Sequence, residues 1–140
     1  MPALSSFDYA ILRVVPRVER GELLNAGVIL YCRTLRQLSA KVELDRARLL
    51  AFAPDVDLEA VTRHLACIPR ICAGEKDAGP IARLSQSERF HWLTAPKSTI
   101  LQTSPVHSGL CSDPAAELER LMDLMVRPPR PKPAPPAPVG

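Results

Sequence analysis

Residues 7–15 carry Phe7, Tyr9, Ile11, Leu12, Val14 and Val15, are apolar on both alternating faces except at Asp8 and Arg13, and stop at Pro16. A run this short, and this rich in aromatic and β-branched side chains, reads as a buried strand rather than a helix. Residues 24–33 read the same way. The segment between them, Pro16-Arg17-Val18-Glu19-Arg20-Gly21-Glu22, is charged and punctuated by Pro and Gly, long enough for a hairpin with a wide loop. The two strands are expected to lie antiparallel and adjacent.

Leu38, Ala40, Val42 and Leu44 alternate with Ser39, Lys41 and Glu43, the period-two pattern of a third strand nearer a sheet edge with one face in water. Asp45 can cap a short helix over 46–52, ended before Pro54 by the torsional restriction on the residue preceding a proline. A longer helix starts after Asp55 or Asp57, with Leu58, Val61, Leu65, Ile68 and Cys72 on one stripe. Pro69 removes a hydrogen bond to the carbonyl of Leu65, so a kink there or an end near Ile68 is predicted. Residues 89–94 and 99–103 read as a second hairpin turning at Ala95-Pro96-Lys97-Ser98. Asp113-Pro114 opens a last helix whose stripe is Leu118, Leu121, Met122 and Met125. The expected class is therefore α+β, a mostly antiparallel sheet of about five strands with helices packed on it.

The chain has 140 residues, 46% of them apolar, which suits one domain over residues 1–126 with a core that needs no metal or disulfide staple. Seven of the fifteen prolines fall in residues 127–140, a segment expected to be a disordered tail of polyproline II character. That segment also holds Arg127, Arg130 and Lys132, which account for the whole formal charge of +3, so the body is neutral. A polyanion partner needs basic charge on a folded face, and a nucleic-acid role is accordingly disfavoured. No apolar run approaches a membrane span and no basic-then-apolar leader is visible, so a cytoplasmic location, no membrane association and four reduced cysteines are expected.

Several short stretches together resemble a known family. They are Phe7-Asp8-Tyr9-Ala10 with Arg13-Val14-Val15-Pro16, then Leu24-Asn25-Ala26-Gly27-Val28-Ile29-Leu30, then Trp92-Leu93-Thr94-Ala95-Pro96-Lys97-Ser98-Thr99 and Gln102-Thr103-Ser104-Pro105-Val106-His107. The chain resembles, over residues 7–126, the bacterial family catalogued as domain of unknown function 3037. The resemblance implies a small cytoplasmic bacterial domain with no established activity, and a protein partner resembling kinases of the persistence-toxin type.

No complete catalytic constellation can be assembled from the residues. Lys97-Ser98-Thr99 lacks the glycines of a phosphate-binding loop. His64, Cys67 and Cys72 are spaced H-x2-C-x4-C, but zinc needs a fourth ligand and no local one exists. His107 with Ser108 or Cys111 has no orienting third group. No metal and no cofactor is expected. Phe90 and Trp92 on one strand face could stack single-stranded nucleic acid beside Arg89 and His91, but alternation makes them better core residues. What remains is a polar segment, Arg89, Lys97, Ser98, Thr99, Gln102, Ser104 and His107, expected on one exposed side as a ligand or partner site. The expected function is a non-catalytic accessory or binding module acting with a protein partner or small ligand. The alternatives are an enzyme acting on a phosphorylated or nucleotide substrate through Lys97 and His107, and a nucleic-acid-binding protein.

Overall fold

The computed structural model describes residues 3–129 and 136–138. In chain order the elements are β1 (Ser5–Val14), β2 (Leu24–Cys32), β3 (Gln37–Val42), α1 (Arg46–Phe52), α2 (Leu58–Ala73), α3 (Gln86–Thr94), β4 (Leu101–Thr103), β5 (His107–Cys111) and α4 (Pro114–Met125). All strand pairings are antiparallel, in the order β3-β2-β1-β4, with β5 also on β1. One edge of β1 takes β2. The other is shared, β5 pairing along Ser5–Tyr9 and β4 along Leu12–Val14.

The apolar run in β2 has a physical reason that alternation alone does not supply. Leu12 lies opposite Gly27 while Arg13 lies opposite Asn25, so Ala26 is an extra residue in a β-bulge and the faces exchange there. Before the bulge, Leu24 and Ala26 pack with Leu49, Val61 and Leu65 of α1 and α2. After it, Ile29 and Tyr31 continue that face beneath α2 and α3, packing on Ile71, Cys72, Phe90 and Leu93. Val28, Leu30 and Cys32 point the other way and meet Leu118, Leu121 and Met122 of α4. Helices therefore cover both faces, and β2 is buried almost throughout. Gly27 is required by crowding, since a Cβ would stand 2.6 Å from the Lys41 carbonyl oxygen.

The helix starts follow the expected chemistry. The carboxylates of Asp45, Asp57 and Asp113 accept from the backbone N–H groups of Arg48, Ala60 and Ala115/Ala116. Pro69 does not end α2, which runs on to Ala73 and closes at Gly74 in the left-handed region (φ 73°).

Two expectations are corrected. Residues 89–94 lie in helix α3 rather than in a strand, so they form no hairpin with residues 99–103, and β4 is reduced to three residues. The alternation of Phe90 and Trp92 was a strand signal, but Ser85 ends in a capping arrangement: its hydroxyl accepts from the Glu88 N–H at 3.2 Å and donates to the Glu88 carboxylate at 2.9 Å. The fifth strand is instead β5, in residues the sequence leaves irregular. The C-terminal segment begins with a bonded residue: Arg127, half-buried, pairs with Glu43, Glu119 and Asp123. The proposed disorder of residues 130–135 and 139–140 lies outside the described residues. No helix among the described residues is long and apolar enough to cross a membrane.

Candidate functional site

The seven residues singled out in the sequence do not form one surface. Arg89 is buried, 8% exposed, because α3 turns it inward rather than along a strand face. Its Nη1 donates to the carbonyls of Ile71 (3.0 Å) and Cys72 (2.9 Å) in the last turn of α2, the first of which also accepts from the Gly74 N–H. The fit is close, since a Cβ on Gly74 would sit 2.8 Å from Nη1 of Arg89. Ser104 is also internal, 3% exposed. Its hydroxyl accepts from the Ile11 N–H at 2.8 Å and its own N–H donates to the Ile11 carbonyl at 2.9 Å. That patch carries the ladder of β1 across the gap between β4 and β5.

His107 lies opposite Tyr9 in β1, ring centroids 5.4 Å apart, and Tyr9 packs with the α4 cluster. Lys97 belongs to the other side of the sheet. It follows α3, whose extended cap residue Ala95 precedes Pro96, and its ammonium donates to the carbonyls of Trp92 (2.7 Å), Ala95 (3.3 Å) and Leu93 (3.4 Å). It thereby closes the helix end that has no glycine. The same nitrogen stands 4.8 Å from the Trp92 ring centroid. Partial burial holds the Lys97 pKa below the ordinary lysine value.

Lys97, Thr99 and Gln102 do come together, at a pocket of about 200 Å³ between α2, α3 and β4. Its wall is apolar: Leu12, Ile68, Ile71, Leu93 and Leu101. Its rim adds Thr103, Trp92 and, from α2, His64 and Cys67. Most polar groups of the rim already serve the local backbone. Thr99 donates to the Leu101 carbonyl (2.8 Å), Gln102 to the Thr99 carbonyl (3.0 Å) and Thr103 to the Thr94 carbonyl (3.4 Å). Ser98 is exposed on the connecting loop and is not part of the lining.

Three pocket residues were visible in the sequence under other readings. Trp92, expected in the core, is 44% exposed because a helix places it a quarter turn or more from its buried neighbours Phe90 and Leu93. His64 and Cys67 belong to the H-x2-C-x4-C trio, and their i, i+3 spacing puts both at one rim. Cys72, the third member of that trio, is buried against Arg89, and burial pushes its thiol pKa up to about 12. All four cysteines are free thiols, Cys67 exposed and the other three buried. Among the described residues no three His, Cys, Asp or Glu side chains gather as a metal site.

The family model described as a protein of unknown function (DUF3037) matches residues 9–126, from early β1 to the residue after α4. No curated protein and no solved structure matches the chain.

Proposed function

The chain belongs to the DUF3037 family, and from that premise we propose that it is a small non-catalytic binding module whose ligand seats in the pocket between α2, α3 and β4. One observation carries this reading: the pocket is walled by five apolar side chains and rimmed by polar groups, beside the chain's single tryptophan. The module acts as an accessory to a protein partner rather than as a catalyst. Lys97 and His107, the pair an enzyme on a phosphorylated substrate would use, point to opposite faces of the sheet. Nucleic-acid stacking on a basic aromatic strand has lost its platform, because that strand is a helix and its arginine is internal.

The test is native purification followed by release of bound small molecules in denaturant and their identification by mass spectrometry. Wild-type protein should carry a stoichiometric small molecule, or quench Trp92 when given the molecule it prefers. Ile68→Arg, which puts a charge into the apolar wall from a half-buried helix position, should remove both signals while the fold is kept. A wild-type protein that carries nothing, and whose Trp92 emission no small-molecule extract changes, would sink the reading.

A further inference from the structure

We propose that the pocket takes a small monocarboxylate with a single-ring or branched aliphatic body, its carboxylate against Lys97 and its body between Trp92 and the apolar wall. The inference rests on the reading of the pocket as a ligand site and narrows it to one chemistry.

Size sets the body. An apolar cavity of about 150 Å³ holds one benzene ring, so a pocket of about 200 Å³ takes a ring with a short side chain or a branched acyl chain of similar volume. Charge sets the head. No acidic side chain lines the pocket, and the only lysine on its rim has no carboxylate partner among the described residues. A partly desolvated ammonium without a counter-ion disfavours a cationic ligand and favours an anionic one. Lys97 can turn to such a head, because two of its three contacts, at 3.3 and 3.4 Å, are longer than ordinary N–H···O bonds. Only the contact to the Trp92 carbonyl, at 2.7 Å, is short.

The same inventory favours a carboxylate over a phosphoryl head. A doubly charged group needs several donors, such as an arginine fork or a nest of backbone N–H groups. Here the hydroxyl of Thr99 and one N–H of the Gln102 amide already donate to the backbone, which leaves Lys97, the second amide N–H and the His64 ring but no arginine. The nearest helix terminus is the carbonyl end of α3, the negative end of its dipole. One negative charge behind Lys97 is tolerated there.

Trp92, the sole tryptophan, reports occupancy directly. Its emission would be titrated with phenylacetate, the uncharged 2-phenylethanol, the cationic phenethylamine and inorganic phosphate. Phenylacetate should bind most tightly, and phenethylamine and phosphate not measurably. Lys97→Met should weaken phenylacetate by about tenfold or more, the value of one charge-assisted hydrogen bond, and leave 2-phenylethanol unchanged. Lys97 also closes α3, so a second measurement guards against a folding effect: in Cys67→Ser, which removes the titratable thiol from the rim and leaves Lys97 and the rim His64 in place, phenylacetate affinity should fall as pH rises through the Lys97 pKa, below 10.5, and 2-phenylethanol affinity should not. If acid and alcohol bind equally and Ile68→Arg removes both, the carboxylate proposal is overturned while the ligand pocket stands. If a peptide ending in phenylalanine binds more tightly than phenylacetate, the site reads a protein terminus and the small-acid proposal is overturned. If none of the probes quenches Trp92 and the native protein carries no small molecule, both readings fail.

Discussion

Arg89 and Ser104 are polar side chains held inside, and their loss should cost more than the loss of polar residues at the rim. Arg89→Met removes the donor to the Cys72 carbonyl and one of the two donors to the Ile71 carbonyl, and bonds to a charged donor are worth about 1.5–3 kcal/mol. Ser104→Ala strands the Ile11 N–H, a penalty of about 1–3 kcal/mol for a buried donor. His107→Ala, on an exposed position, should stay within about 0.5 kcal/mol. Urea titrations of the three variants check the order; equal midpoints would show that the internal bonds contribute nothing. Thiol accessibility gives a parallel test. Cys67 alone should react rapidly with an aromatic disulfide in the native protein, the other three thiols only on unfolding, and two fast thiols would contradict the burial of Cys32, Cys72 and Cys111. At this scale residue type misled the sequence reading. Arginine and serine are usually exposed, and which ones turn inward depends on partners supplied by distant segments, here carbonyl acceptors from α2 and an N–H donor from β1.

Elements were legible where the signal is local. Asp45, Asp57 and Asp113 mark helix starts by a side-chain oxygen beside free N–H groups, and the sheet centre is announced by apolar runs. The α3 region failed because Phe90, Trp92 and Thr94 favour strands while Ser85 and Glu88, at the S-x-x-E spacing, start a helix. The cap won, helped by Phe90 and Leu93, which share a helical face on the core. Ser85→Ala should therefore destabilise the protein by about 1 kcal/mol, read as a lower melting temperature, and no change would mean that packing alone makes α3 helical. β5 was missed for the opposite reason. His107-Ser108-Gly109-Leu110-Cys111 has no apolar alternation, and its strand state comes from pairing with β1, where Gly109 lets the chain lie against the Phe7 ring. The pocket was legible only in part. Lys97, Thr99 and Gln102 are close in sequence, whereas His64 and Cys67 reach them only through the packing of α2, which no local pattern encodes.

Across the whole molecule, one charge cluster ties α4 to the edge strand β3. Arg127 pairs with Glu43, Glu119 and Asp123, and Lys41 pairs with Glu119. The hydrogen bond from Lys41, followed by that from Arg127, holds the Glu119 carboxyl below the usual glutamate pKa. A lowered folded-state pKa means that this stabilisation is full above 4.5, the ordinary glutamate value, and fades as pH falls through the folded value. In Lys41→Met with Arg127→Met the Glu119 titration should return toward its ordinary value by NMR; an unmoved midpoint would break the link. A chain ending at Val126 should likewise melt below one ending at Arg127, and the gap should shrink in about 1 M salt. Equal melting at low salt would show that Arg127 is dispensable.

Arg127 also fixes the position of the chain just after α4. It is held beside β3 and α4, whereas the pocket opens beside β4 on the α2 and α3 face. Three strand spacings, about 14 Å, and the thickness of the sheet separate the two. A module or surface joined directly after Arg127 would thus be attached from behind. A molecule immobilised at that point would face the solution with its pocket open, and occupancy of the pocket need not obstruct the attachment.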